Sequence, residues 1–164
     1  MDLYIMRHGI AEDVSASGRD RDRVLTEEGR DKSREGGKAL RKLDVEFDAI
    51  FSSAFPRAWQ TAELVADELD EKKLLQELPE LEAESNVQRA LGGLKRVLKN
   101  QASVLIVGHE PILSQLISVL LSGHSGLSIT MKKGAVCKLS CVRPEPGGCR
   151  LEWLLNAKQL CRMV

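Results

Sequence analysis

Short apolar runs alternate with helical stripes along most of this 164-residue chain, and few folds accommodate that order. Leu3 to Met6, Phe47 to Phe51 and Ser103 to Val107 are apolar runs of strand length, the third being the clearest. Leu74 to Leu78 reads as a further strand at a sheet edge, and Ala135 to Val142 with Leu151 to Leu155 as a C-terminal pair. Pro144-Glu145-Pro146-Gly147-Gly148 separates that pair with a turn that neither helix nor strand could hold. Between the strands, Leu113, Leu116, Ile117, Leu120 and Leu121 recur at helical spacing. So do Val87, Leu91, Leu94 and Leu98, and Ala58, Ala62, Val65 and Leu69. Strands alternating with helices predict a mainly parallel central sheet covered on both faces, a three-layer α/β/α sandwich. The length suits one core, so residues 1–164 are expected to form a single domain.

Two segments fit this pattern less well. From Thr26 to Leu43 the inner face of a helix would be Gly29, Ser33, Gly36, Leu40 and Leu43, although each glycine costs about 1 kcal/mol of helix propensity against alanine. Close approach of the helix backbone to the sheet would justify them. Thr26 suits the N-cap, with Glu27 and Glu28 at the positive end of the dipole. The other segment, Ile10 to Val24, is polar and without period, and loops of that length are usually functional or mobile.

Charge narrows the partners. Lys+Arg and Asp+Glu both number 24, so the chain lacks the basic excess of proteins that coat nucleic acid or an anionic membrane, and neither partner is expected. The N-terminus has no cationic start and too short an apolar run for a signal peptide, which predicts a cytoplasmic protein. Cys137, Cys141, Cys149 and Cys161 contain no C-x-x-C pair and are expected to be reduced thiols. Cys137 and Cys141 should share one strand face as small apolar residues.

The chemistry sits at strand ends. Ligands of open parallel sheets bind beyond the carboxyl ends of the strands. Arg7-His8-Gly9 follows the first strand and Gly108-His109-Glu110-Pro111 follows the clearest one, while Arg57 falls in the first turn of the helix after the second, behind Pro56. Each alone has a plain structural explanation as a turn histidine or a surface arginine. Together, two arginines and two imidazoles beside helix N-termini make an anion site, and a phosphoryl group is its natural guest. A neutral histidine there is a competent nucleophile at phosphorus, and like charge around it favours the unprotonated ring. Gly9 and Gly108 would let the backbone approach the ligand. A metal centre built on His8, His109 and Glu110 fits poorly beside two arginines, so no metal and no cofactor is expected.

These segments resemble the histidine phosphatase superfamily. Ile5-Met6-Arg7-His8-Gly9 resembles its Arg-His-Gly signature, and Leu25-Thr26-Glu27-Glu28-Gly29 its Leu-Thr-x-x-Gly helix entry. Ser53 through Ala62, with Arg57-Ala58-Trp59-Gln60-Thr61-Ala62, resembles its Ser-x-x-x-Arg-Ala-x-Gln-Thr-Ala block, and Val107-Gly108-His109-Glu110-Pro111 its Val-Gly-His-x-Pro block. Ala54 departs from the proline often found there. The resemblance implies a phosphoglycerate-mutase-like fold and a phosphoenzyme at His8, with Arg7, Arg57 and His109 in the phosphate pocket.

The short chain is most similar to the SixA-type phosphohistidine phosphatases, whose Leu-Pro-Glu-Leu segment Leu78 to Leu81 resembles and whose substrate-facing arginine Arg23 resembles. Arg23, Gly9 and Glu80 therefore form the candidate substrate-binding set. Glu80, Glu82 and Glu84 all lie where a general acid could sit, and the sequence does not separate them. Arg19 and Arg21 read as solvated charges. The expected partner is a phosphorylated protein histidine, such as that of a phosphotransfer domain, with phosphate or other oxyanions in the pocket. The alternatives are a small-molecule phosphomonoesterase or mutase of the same superfamily, and a non-catalytic phosphoryl-binding module.

Overall fold

The structure is a computed structural model that describes all 164 residues. Six strands form one sheet: β1 (Asp2–Arg7), β2 (Ala49–Ser52), β3 (Leu75–Glu77), β4 (Ser103–Gly108), β5 (Val136–Cys141) and β6 (Cys149–Leu155), in the order β3-β2-β4-β1-β5-β6. The first four in that order run parallel, and β5 and β6 add an antiparallel edge. The helices are α1 (Glu27–Lys42), α2 (Pro56–Glu68), α3 (Val87–Val97), α4 (Ile112–Ser122) and a short α5 (Ala157–Leu160).

The apolar strands are continuous because both faces of the sheet are buried. In β1, Leu3 and Ile5 join one core with Leu94 of α3 and Leu113, Leu116 and Leu120 of α4. Tyr4 and Met6, pointing the other way, join a second core with Leu40 of α1 and Ala58, Ala62 and Val65 of α2. This gives the expected three layers. Thr26 caps α1 by accepting from the Gly29 N–H at 3.0 Å, and Pro56 opens α2 at its first turn.

Three expectations need correction. The glycines of α1 answer to its neighbours more than to the sheet: a Cβ on Gly29 would collide with the Ile10 carbonyl, and one on Gly37 would lie 2.8 Å from Glu68 Cβ of α2. Leu43 is not on the inner face. It lies just past the end of α1 and is 38% exposed. The cysteines are not all thiols either, because Cys141 and Cys149 form a disulfide. The β5–β6 register sets those two residues directly opposite, with Cα atoms 4.2 Å apart, so the hairpin itself brings them together. Cys137 and Cys141 do share a face, in the first core. Cys141 lies beside Met1, at the opposite end of β1 from Arg7. No helix is long and apolar enough to cross a membrane.

Candidate active site

Three adjacent strands end in step. Arg7 pairs with Gly108 across β1 and β4, the His8 N–H donates to the Gly108 carbonyl at 3.1 Å, and the Ser53 N–H donates to the Val107 carbonyl at 3.0 Å. The carboxyl ends of β1, β4 and β2 thus deliver His8, His109 and Ser53 to one edge. The two imidazole rings lie 5.1 Å apart, centre to centre. Phe55, the N-cap of α2, sets its ring 5.3 Å from His109 and 5.5 Å from the Arg57 guanidinium. His8, Arg57 and His109 are all buried.

His8 Nδ1 is 2.7 Å from the Gly9 carbonyl oxygen. A carbonyl only accepts, so Nδ1 carries the hydrogen and donates it, and Nε2 of the neutral ring keeps its lone pair. That is the arrangement a nitrogen nucleophile needs. His109 Nε2 lies 2.9 Å from Ser53 Oγ, which also accepts from the Phe55 N–H at 3.2 Å. Thr61 ties the parts together: its hydroxyl accepts from the Gly9 N–H at 2.9 Å and donates to the Arg57 carbonyl at 2.7 Å. Arg7 Nη1 donates to the Met131 carbonyl at 2.8 Å.

Several donors remain without a protein partner. Arg7 Nε and Arg57 Nε are buried and unpaired, and so is His109 Nδ1, a donor in the tautomer whose Nε2 accepts from Ser53. Buried polar groups are rarely left so, and three from one edge of the sheet suit an oxyanion that would accept from all of them.

Burial, reinforced by charge, keeps the imidazoles neutral. Burial, and then the charges of Arg57, Arg7 and Lys133, push His8 down to about 4 against the hydrogen bond to Gly9. Burial, then His8, Arg57, Arg7 and Arg23, push His109 down to about 2. Burial likewise lowers both arginines, with Glu110 opposing it at Arg7 and Asp20 at Arg57. Both histidines fall below the ordinary 6.5, so the unfolded chain takes up protons first. Stability from this pair is complete above pH 6.5 and is lost as pH falls toward 4 and below. In nitrogen-detected NMR of the folded protein, His8 is expected to stay in the neutral Nδ1–H form from pH 8 to pH ~5. A titration midpoint near 6.5 would contradict the electrostatics described here.

The substrate-binding candidates divide. Arg23 lies beside the site: its charge acts on both His109 and Arg57, and its Nη1 donates to the Glu12 carbonyl at 2.9 Å. Gly9 is required by packing rather than by a ligand, since a Cβ there would meet Ser33 Oγ at 2.9 Å and the Gly29 carbonyl at 3.1 Å. Gly108 is likewise closed in, by Leu81 and Leu113. Glu80 turns to α3, where it accepts from Arg96 at 2.5 Å and packs against Gly93, and that ion pair lowers its carboxyl below the ordinary value against burial, the larger and opposing effect.

Residues absent from the sequence-based set also contribute. Asp20 holds Arg57, Ser53 holds His109, and Lys133 adds charge near His8. Ser53 was signalled as the first residue of the Ser-x-x-x-Arg-Ala-x-Gln-Thr-Ala block. Asp20 sat unmarked in a charged loop, and nothing in the sequence points to Lys133.

The family model of the histidine phosphatase superfamily (branch 1) matches residues 3–84. The chain is 37% identical over 127 residues to the phosphohistidine phosphatase SixA of Escherichia coli (strain K12), covering 76% of this chain and 77% of that protein. Its fold superposes on a structure of the protein histidine phosphatase SixA complexed with tungstate, with a TM-score of 0.85, 30% identity, and 98% and 99% of the two chains covered. It is also 31% identical over 105 residues to a 2,3-bisphosphoglycerate-dependent phosphoglycerate mutase of Actinobacillus succinogenes, but this covers only 44% of the mutase. Sequence and fold therefore agree that the chain is a phosphatase and belongs to the histidine phosphatase superfamily.

Proposed function

We propose that the chain removes phosphate from a phosphorylated protein histidine through a covalent phosphohistidine at His8. The observation that carries this is the His8 Nδ1 contact with the Gly9 carbonyl, which leaves Nε2 as a lone-pair donor among Arg7, Arg57 and His109. In the first step Nε2 attacks phosphorus and the P–N bond to the substrate ring, protonated at its other nitrogen, breaks, so that the ring departs as neutral imidazole. In the second, water attacks the phosphoryl group on His8, releasing phosphate and restoring the free imidazole. The arginines and His109 Nδ1 bond the equatorial oxygens and stabilise their charge in both transition states.

Two observations favour phosphohistidine over an alcohol phosphate. Arg96 holds Glu80 Oε1, and against the opposing effect of burial that ion pair lowers the Glu80 carboxyl, which makes it a weaker proton donor to a leaving alkoxide. A departing imidazole needs less help, its conjugate acid having a pKa near ~6.5. The match to the phosphohistidine phosphatase SixA, 37% identity over 77% of that protein, is both higher and fuller than the match to the mutase, 31% over 44% of it.

The test is a turnover panel comparing a phosphohistidine-bearing phosphotransfer protein with sugar phosphates. A kcat/KM at least ~100-fold higher for the phosphohistidine protein is expected, about 2.7 kcal/mol of transition-state discrimination. Equal or reversed values would favour the small-molecule phosphatase.

A further inference from the structure

We propose that Asp20 is a positioning residue for phosphoryl transfer, fixing the Arg57 and Arg23 guanidinium groups around one shared oxyanion. This rests on Arg57 being an oxyanion contact. Asp20 opens a single 3-10 turn, Asp20–Asp22, in the long loop between β1 and α1. Its Oδ2 accepts from Arg57 Nη2 at 3.0 Å, and its backbone carbonyl accepts from Arg57 Nη1 at 2.7 Å. Its Oδ1 lies 2.9 Å from Arg23 Nε as an ion pair without hydrogen-bond alignment, so the Arg23 Nε hydrogen keeps no protein partner. One residue thus grips two arginines.

The choice of edge is informative. A guanidinium offers two edges for bidentate bonding, the Nη1/Nη2 end and the Nε side. Asp20 takes the end of Arg57. The Nε hydrogen on the side edge is buried and has no protein partner. An oxyanion accepting from Nε would leave both Asp20 bonds in place. The turn is pinned a second time by Arg21, whose guanidinium lies 5.2 Å from the centre of the Phe55 ring. Arg57 is almost fully buried while the Asp20 side chain is 65% exposed, so the carboxylate reaches in from solvent to hold a buried cation. Without it, Arg57 and Arg23 repel each other, and Arg57 loses its Nη2 bond, keeping only the Nη1 bond to the Asp20 backbone carbonyl.

A competing view makes Asp20 a placeholder that occupies the oxyanion's seat and must be expelled. The two views predict opposite signs. In calorimetric titration with orthovanadate, Asp20→Ala is expected to weaken binding about 10- to 100-fold and lower kcat/KM to match, the range for hydrogen bonds to charged groups. Unchanged or tighter vanadate binding would overturn the proposal. Loss of activity through a loosened loop is separated by a double-mutant cycle with Arg57→Lys, which has no fork to orient. In that background Asp20→Ala is expected to cost less than ~3-fold in kcat/KM; an undiminished loss would mean loop anchoring alone and would also overturn it. Arg57→Ala is the control: if it leaves vanadate binding intact, the pocket assignment itself fails, and if it abolishes binding while Asp20→Ala does not, only the role of Asp20 fails.

Discussion

A His8→Ala protein is expected to form no phosphoenzyme and to lose turnover by roughly 10⁴-fold or more, the scale seen when an enzyme loses its nucleophile. While Ser53 donates to His109 Nε2, Nδ1 of that ring carries the hydrogen, so in that tautomer His109 offers phosphorus no free lone pair. The oxyanion donors of Arg7, Arg57 and His109 survive the substitution, so vanadate should still bind. That combination, binding without chemistry, separates a nucleophile from a residue that merely shapes the pocket. Rapid acid-free quenching with labelled phosphohistidine substrate should trap acid-labile, base-stable phosphate on the wild-type protein and none on the variant. Wild-type turnover by His8→Ala would remove the covalent mechanism.

Much of the fold was legible because a sheet buried on both faces has no polar alternation to hide it. Leu3-Tyr4-Ile5-Met6 reads as an unbroken apolar run, and the structure shows why: successive residues enter the two separate cores. What depended on pairing between distant segments was less legible. The α1 glycines were correctly read as sites of close approach, but the partners are the Ile10 carbonyl and α2, known only once loop and helices are docked. The Cys141–Cys149 bridge follows from the register of one hairpin, and cysteine spacing alone does not show it.

The site divides along the same line. His8 and His109 were legible because parallel strands must end at one edge, and Arg57 because its helix starts there. Asp20 was not, because alternating arginine and aspartate in a loop has the pattern of a solvated surface and only the docked turn shows which carboxylate faces inward. Glu80 differs in the opposite way. Its motif suggested the site, and an ion pair with Arg96 holds it on α3.

Arg57→Ala is expected to lower kcat about 100-fold or more, with a smaller change in KM, as for loss of one donor aimed at developing charge. Its neighbours make the rate, rather than the fold, the place to see this. The Thr61 bond goes to the Arg57 backbone carbonyl and survives truncation, and the Asp20 carboxylate left behind is already exposed to water. A large fall in Tm is therefore not expected, and an inactive variant with near-native Tm would place the loss in the transition state. Arg57→Lys should recover little, since a single ammonium cannot hold Asp20 and an equatorial oxygen along two edges at once. Added guanidinium ion should recover more than added ammonium does, because the missing element is a planar fork beside Phe55 rather than a positive charge alone. If Arg57→Lys instead turned over like the wild type, charge alone would suffice, and the geometry argued for Arg57 and Asp20 would have no part in catalysis.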